Sequence, residues 1–211
     1  MSGTVCYGWW IAIISLCVGY ALLAHYTNAV PGNETLGTLV AIAPILLAFV
    51  AMAWHAQHRT AMLSAIAVAL VAAAIAWHSL ESHFTWIYWI EHAGTQLIFC
   101  LIFGRSLAPR REPLCSLIAR LVHGSLSPAI LSYTRQITVA WMIFFGLMSA
   151  TSTVLFFAAP LTTWSAFVNF FTGPLICLVF VVEYVIRRMM LPDVEHVHIM
   201  VAIRAVRKMY G

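Results

Sequence analysis

Charge is what this sequence has least of. Its 211 residues include 11 Lys and Arg and 7 Asp and Glu, 9% charged in all, against 63% hydrophobic residues and a mean hydropathy of +0.92. Soluble domains carry about 25% charged residues, so the composition excludes an ordinary soluble domain and describes an integral membrane protein. A formal net charge of +4 is small, and in a membrane protein its placement counts for more than its size. Nucleic acid is not an expected partner. Cysteine is sparse and unpatterned: Cys6, Cys17, Cys100, Cys115 and Cys177 show no CxxC or other ligand spacing and read as reduced core thiols. There is no GxSxG, no HxxxxD of the acyltransferase type and no P-loop, which counts against a hydrolase or an ATPase. No period of 20 to 50 residues marks a repeat protein. The first apolar run follows MSGTVCYGWW without a basic segment or a small-x-small site, so no removed signal peptide is expected.

What the sequence has is long apolar runs. A bilayer core needs about 20 apolar residues per helix, and six runs qualify: Tyr7 to Tyr26, Leu36 to His55, Thr60 to Trp77, Phe84 to Phe103, Thr134 to Ala158 and Trp164 to Ile186. They do not alternate apolar with polar residues as barrel strands do, so the class is all-α and polytopic, one membrane domain over 1–211. Short joins at Thr27 to Thr35, Ala56 to Arg59, Ser79 to His83 and Ala159 to Thr163 make antiparallel hairpins. With both termini in the cytoplasm, every basic residue falls on the inner side: Arg59, Arg105, Arg110, Arg111, Arg120, Arg135, Arg187, Arg188, Arg204, Arg207 and Lys208. The outer loops hold Glu34 and Glu81 instead. One missed span would split the basic residues between two sides, so span count and orientation support each other. Trp77, Trp86, Trp89, Tyr26 and Trp164 fall at outer helix ends, and Trp9, Trp10 and Trp54 at inner ones, as an aromatic belt requires.

The only long interval between apolar runs is Phe103 to Arg135, whose segment 104–133 is basic and cytoplasmic. Within it, Leu114, Leu117, Ile118, Leu121 and Val122 recur at helical spacing behind Pro113, and Gly124 is a stop signal. This predicts a short amphipathic helix on the inner membrane surface, apolar face down and Arg120 up, with Leu114, Leu117, Leu121 and Val122 packed on the ends of spans four and five. The tail at 192–211 repeats the pattern and reads as a second interfacial helix.

Polar groups inside a bilayer are costly, so each is a functional candidate, with a plain interhelical hydrogen bond as the alternative. Glu91, His92 and Gln96 lie within two turns of span four, His92 and Gln96 on one face. A rise of about 1.5 Å per residue places Glu91 roughly 10 Å below the outer surface. Asn169, followed by Gly173 and Pro174, predicts a kinked helix with freed carbonyls. Glu183 stands four residues before Arg187, the favourable order for an ion pair. His25, His78 and His83 fall at or near outer span ends close to His92 and are weak candidates for metal or haem ligation, but no HxxxH or HExxH spacing supports them, and no cofactor is expected.

The runs FGRSLAPRREPLCSLIARLVHG, LSYTRQITVAWMIFF, TTWSAFVNFF and VVEYVIRR together resemble a group of uncharacterised bacterial inner-membrane proteins, sometimes labelled ketosynthase. Members show FGRTL, a PGREPLITRIAR-like segment, a YTRRVT-W segment, W-x-x-F-x-N and EYxxRR before a proline. The resemblance covers roughly Phe103 to Pro192. This chain departs from it at Arg110, where the group often has Gly, and at Cys115 and Leu117. A ketosynthase is a large soluble α/β protein that these residues could not build. The resemblance implies a setting beside type II fatty-acid-like genes, including those for aryl polyene pigments, with acyl carrier proteins, acyltransferases and exporters.

Three readings follow. The first is an inner-membrane accessory protein in the assembly or hand-over of a lipid-like acyl product, docking a carrier protein or acyltransferase on Arg105, Arg110, Arg111, Arg120 and Arg135, with membrane lipids as its other partners and self-association left open. The second is a transporter or flippase component using Glu91, His92 and Asn169, and the third a haem or metal membrane protein. Reporter fusions at Asn33, Ser82 and Thr162 are expected to read periplasmic, and those at Ala108 and Gly211 cytoplasmic. A periplasmic signal at Ala108 would overturn the topology.

Overall fold

The computed structural model describes residues 3–190. Among these the chain is helical with no strand: α1 Gly3–Ala29, α2 Glu34–His55, α3 Arg59–Ile75, α4 Trp77–Ser82, α5 Phe84–Ser106, α6 Leu114–His123, α7 Pro128–Ala158 and α8 Leu161–Ala166, then a π turn Phe167–Phe171 and α9 Thr172–Met190. Five stretches are long and apolar enough to cross a bilayer: Ile11–Ala29, Glu34–Trp54, Phe84–Ser106, Pro128–Ala158 and Leu161–Met190. The protein is therefore read as a multi-pass membrane protein. The third run, Arg59–Ile75, is apolar but only 17 residues long. The join expected at Ser79 to His83 is largely helical, because α4 continues to Ser82 after a break at Ala76. The expected tail helix lies outside the described residues.

The chain divides into two compact units. Among the described residues, the first comprises those up to His92 together with Ser152–Phe171, and the second Ala93–Thr151 together with those from Thr172 to Met190.

In the first unit, Ala24, Val40, Ala41, Tyr88 and Trp164 form a buried cluster, flanked by Phe84, Ile87, Trp89, Leu155, Phe156 and Val168. Small residues let helices approach closely where lipid supplies no hydrophobic drive between them; Ala24 and Ala41 are fully buried. Gly37 allows the tightest approach, since a Cβ there would lie 2.5 Å from the Phe84 ring. Thr35 donates to Glu81, tying the start of α2 to α4.

The second unit packs around aromatic rings. Phe99 and Phe145 stack at 5.1 Å, Trp141 and Phe145 at 5.4 Å, and Phe180 meets Trp141 at 4.7 Å. Helix α6 begins and ends where its sequence predicts. Pro113 has no N–H to lose, and Gly124 closes the last turn with φ +75° while donating its N–H to the Arg120 carbonyl. The first two helical N–H groups, orphans in any helix, are satisfied by side chains: Leu114 N–H by Ser106 Oγ at 3.1 Å, and Cys115 N–H by Thr138 Oγ1 at 3.2 Å.

The face that α6 presents inward corrects the sequence reading. Ser116 is fully buried, its hydroxyl 2.6 Å from Thr134 Oγ1, whereas Leu117, Ile118 and Leu121 remain exposed. Leu114 is half-buried, and Leu117, Ile118 and Leu121 each leave just over a third of their surface open. A small polar face docks closely and satisfies its hydroxyls on the threonines of α7, and an apolar stripe in a membrane protein has lipid as an equally good neighbour.

Irregularity in the last apolar stretch comes earlier than Gly173. Pro174 removes the N–H that would reach the Phe170 carbonyl, and the helix widens over Phe167–Phe171, the π turn just ahead of it.

Gly37→Ala is expected to lower the thermal midpoint in detergent by the equivalent of about 1–3 kcal/mol, the range for overpacking. Gly19→Ala, where nothing lies within 4 Å of the added Cβ, serves as the control and should melt no lower than the parent chain.

Candidate functional site

The first unit gathers its buried polar side chains around two adjacent residues of α8. Trp164 is 1% exposed and Ser165 fully buried. The Trp164 indole N–H donates to Ser152 Oγ on α7 at 3.1 Å, and the same oxygen lies 2.9 Å from His92 Nδ1 on α5. Ser165 Oγ lies 3.1 Å from His25 Nδ1 on α1. In the π turn, Asn169 Nδ2 donates to the Ser165 carbonyl at 2.9 Å and to its hydroxyl at 3.2 Å. Each imidazole also meets the edge of a ring in that turn, His25 with Phe170 and His92 with Phe167. Glu91, half-buried, is close enough to the Tyr20 and Tyr88 hydroxyls to interact with both. Beside this polar chain, Phe156 touches Trp86, Trp89 and Trp164.

The second unit holds two further groups. Tyr133, buried, donates to Glu183, whose carboxylate oxygen and backbone carbonyl are each 3.2 Å away. Glu183 pairs with Arg187 at 3.5 Å, as the four-residue spacing predicts. Burial pushes the Cys115 thiol up, Thr138 pulls it partly back, and Glu183 adds to the rise, so Cys115 carries little thiolate at neutral pH. Gln96 is buried, and among the described residues its Oε1 has no hydrogen-bond partner.

The other group is basic. Arg105, Arg110, Arg111, Arg120 and Arg135 are all exposed. Arg120 bonds Glu112 at 2.9 Å, while the other four have no carboxylate partner among the described residues. Ala108 to Arg111 forms a β-turn closed by the Arg111 N–H donating to the Ala108 carbonyl at 3.1 Å, with Pro109 and Arg110 as its central residues. Arg110 has φ +65°, the position where such a turn favours glycine.

Of the residues singled out from sequence, His92 bonds Ser152 and Asn169 bonds Ser165 in the first unit, with Glu91 near Tyr20 and Tyr88, and Glu183 takes a separate place with Tyr133. His25, read as a weak metal candidate, joins Asn169 on Ser165, the residue next to Trp164. His25, His78 and His83 do not form a ligand set: His83 Nδ1 lies against the Ser79 carbonyl and the Ser82 hydroxyl, and among the described residues no three His, Cys, Asp or Glu side chains converge as a metal requires. Trp164 is the main correction, since it is buried core rather than an interfacial belt residue. Ser152, Ser165 and Tyr133 drew no attention in the sequence. Their one signal was a hydroxyl inside or beside an apolar run, a signal many unremarkable residues share. Set against protein-family models, curated proteins and solved structures, the chain has no match.

Ser152→Ala removes the acceptor for a buried indole N–H and is expected to cost about 1–2 kcal/mol. Combined with Trp164→Phe, which removes that donor, the loss should fall below the sum of the two single losses, by roughly 0.6 kcal/mol for a typical membrane hydrogen bond. Additive losses in a double-mutant melt would show that the bond is not formed.

Proposed function

We propose that the chain is a six-span protein of the bacterial cytoplasmic membrane that receives an acyl carrier protein or a peripheral acyltransferase on its basic inner segment, in the assembly or hand-over of a lipid-like acyl product. Both termini are cytoplasmic, and α3 is the sixth span. At 17 residues and about 1.5 Å per residue it reaches roughly 25 Å, the short end of what crosses a bilayer. Helix α6 lies on the inner surface with Leu117, Ile118 and Leu121 toward lipid, which accounts for a face that the protein itself leaves uncovered.

The observation that carries the docking reading is Arg110. A left-handed backbone costs an L-residue about 1–2 kcal/mol, glycine would avoid most of it, and the sequences this chain resembles often have glycine there. An arginine kept in a glycine conformation points to a use for its side chain. With Arg105 and Arg111 it presents guanidinium forks with no carboxylate partner among the described residues, suited to the phosphates and carboxylates of an acidic partner. Topology and anionic headgroups make weaker demands, which any cation at any nearby position would meet.

A second reading is favoured by the His25, Ser165, Trp164, Ser152 and His92 chain: a transporter or flippase component with that polar site on its substrate path.

The test separates charge from strain. Arg110→Gly is expected to melt at or above the temperature of the parent chain while weakening capture of an acyl carrier protein. Gln at Arg105, Arg110 and Arg111 together should abolish capture, and the parent interaction should fade with salt as exposed charges are screened within about 8 Å at physiological ionic strength. If reporter fusions show unchanged orientation and abundance and capture is equally strong in every variant, the arginines serve topology alone.

A further inference from the structure

Among the described residues Glu91 makes no hydrogen bond and no ion pair, although it lies within an apolar span. It follows Phe84, the first residue of α5, by a rise of about 10 Å. Its polar neighbours come from three helices, and all of them present oxygen. Tyr88, three residues earlier, shares its face of α5. The Tyr20 hydroxyl on α1 is within interaction range of the carboxyl and donates to the Val40 carbonyl on α2 at 3.4 Å. The Tyr88 hydroxyl is buried with Thr27 of α1 beside it, and Thr27 in turn donates to the Ala24 carbonyl at 3.1 Å. Two of these three hydroxyl protons therefore go to backbone carbonyls, and the surroundings of Glu91 are rich in oxygen and poor in donors.

No basic side chain is placed to neutralise a carboxylate there. Arg59 is the single Lys or Arg in residues 1–92 and 152–171, and its guanidinium lies over the Trp54 ring at 4.1 Å, at the other end of α2. Between Thr35 and Trp54 α2 has no titratable side chain, and neither do residues 152–158 or 161–171. α1 faces the carboxyl with Tyr20, while its His25 lies 3.1 Å from Ser165 Oγ. On α5, Tyr88 is the facing group, and His92, as the immediate neighbour, looks round the helix to Ser152 at 2.9 Å. An ionised carboxylate in an apolar span is costly without a cation. A glutamic acid kept only to tie helices together would be fully buried with its proton on a fixed acceptor. Glu91 is half-buried and has no such acceptor among the described residues.

We infer that Glu91, with the oxygens of Tyr20, Tyr88 and Val40 about it, is an exchange site for one small monovalent cation, a proton or a sodium ion, inside the membrane. The carboxylate supplies the charge, and hydroxyl and carbonyl oxygens are the neutral ligands that hard cations take. Partial exposure gives the cation a way in and out that a sealed site lacks. Occupied, the site is neutral; empty, it holds a charge that no facing group offsets. Occupancy is therefore linked to pH, with the proton filling the site when it is plentiful and leaving it, or giving way to sodium, as pH rises. Carboxyls of this kind in spanning helices mark proton and ion pathways. The site stands whether or not the basic segment docks a carrier protein.

The probe is dicyclohexylcarbodiimide, an apolar reagent that adds only to a protonated carboxyl. Full-length protein in nanodiscs is treated between about pH 6 and about pH 9, a range above the ordinary glutamate pKa of about 4.3, first in choline chloride and then in sodium chloride. Adducts are located by peptide mass spectrometry. Glu91 is expected to label well ahead of Glu34 and Glu81. Its labelling in choline should fall roughly tenfold or more across the range, because the protonated fraction drops about tenfold for each pH unit above a carboxyl's pKa. Slower labelling in sodium at fixed pH identifies sodium as the occupant, and equal labelling in the two salts identifies the proton. The infrared carbonyl band of a protonated carboxyl should fade over the same range and be missing from Glu91→Gln. The absence of a Glu91 adduct at every pH, labelling that does not change with pH or does not exceed that of Glu34 and Glu81, or a carboxyl band that survives in Glu91→Gln would overturn the inference. If Glu91→Gln does not fold, the labelling of the parent chain decides the matter alone.

Discussion

The hydroxyl of Ser152 is the point on which the buried chemistry of the first unit depends. A protein inside a bilayer has no water to satisfy a stray donor, so an indole N–H withdrawn from the interface must find an acceptor within the fold. Ser152 is that acceptor. The same oxygen lies 2.9 Å from His92 Nδ1, so one hydroxyl joins α5, α7 and α8. The second serine, next in sequence to Trp164, repeats the arrangement with His25, the amide of Asn169 taking the role of the indole.

The second unit solves a different problem, how to attach a short amphipathic helix. α6 is fastened by its small polar side through Ser116 on Thr134 and Cys115 N–H on Thr138. Its apolar stripe is left outward beside arginines. On the proposed interfacial placement, acyl chains would cover the stripe and headgroups or an acidic partner would meet the guanidiniums.

Strain and charge meet at Arg110. The turn from Ala108 to Arg111 has proline where φ near −65° is wanted and arginine where φ is +65°. Arg120, by comparison, spends its charge on Glu112 within the same segment. The five arginines that look alike in the sequence therefore fall into different classes once their partners are known.

The sequence by itself determined what is local or compositional: the helical class, the long apolar stretches, the start and stop of α6 at Pro113 and Gly124, and the Glu183–Arg187 pair. Each follows from a short-range rule, whether hydrocarbon length, a missing N–H, a glycine conformation or a four-residue spacing. Only the tertiary structure decided which face of α6 is buried, that Trp164 is core rather than belt, and which serine answers which histidine. Hydropathy cannot choose a fully buried face when lipid is as apolar as the protein interior, so the leucines of α6 did not point to Ser116 as the buried contact. The bonded pairs lie 60 residues apart for His92 and Ser152, and 140 for His25 and Ser165. No periodicity links residues so distant; only the packing of α1, α5, α7 and α8 brings them within reach.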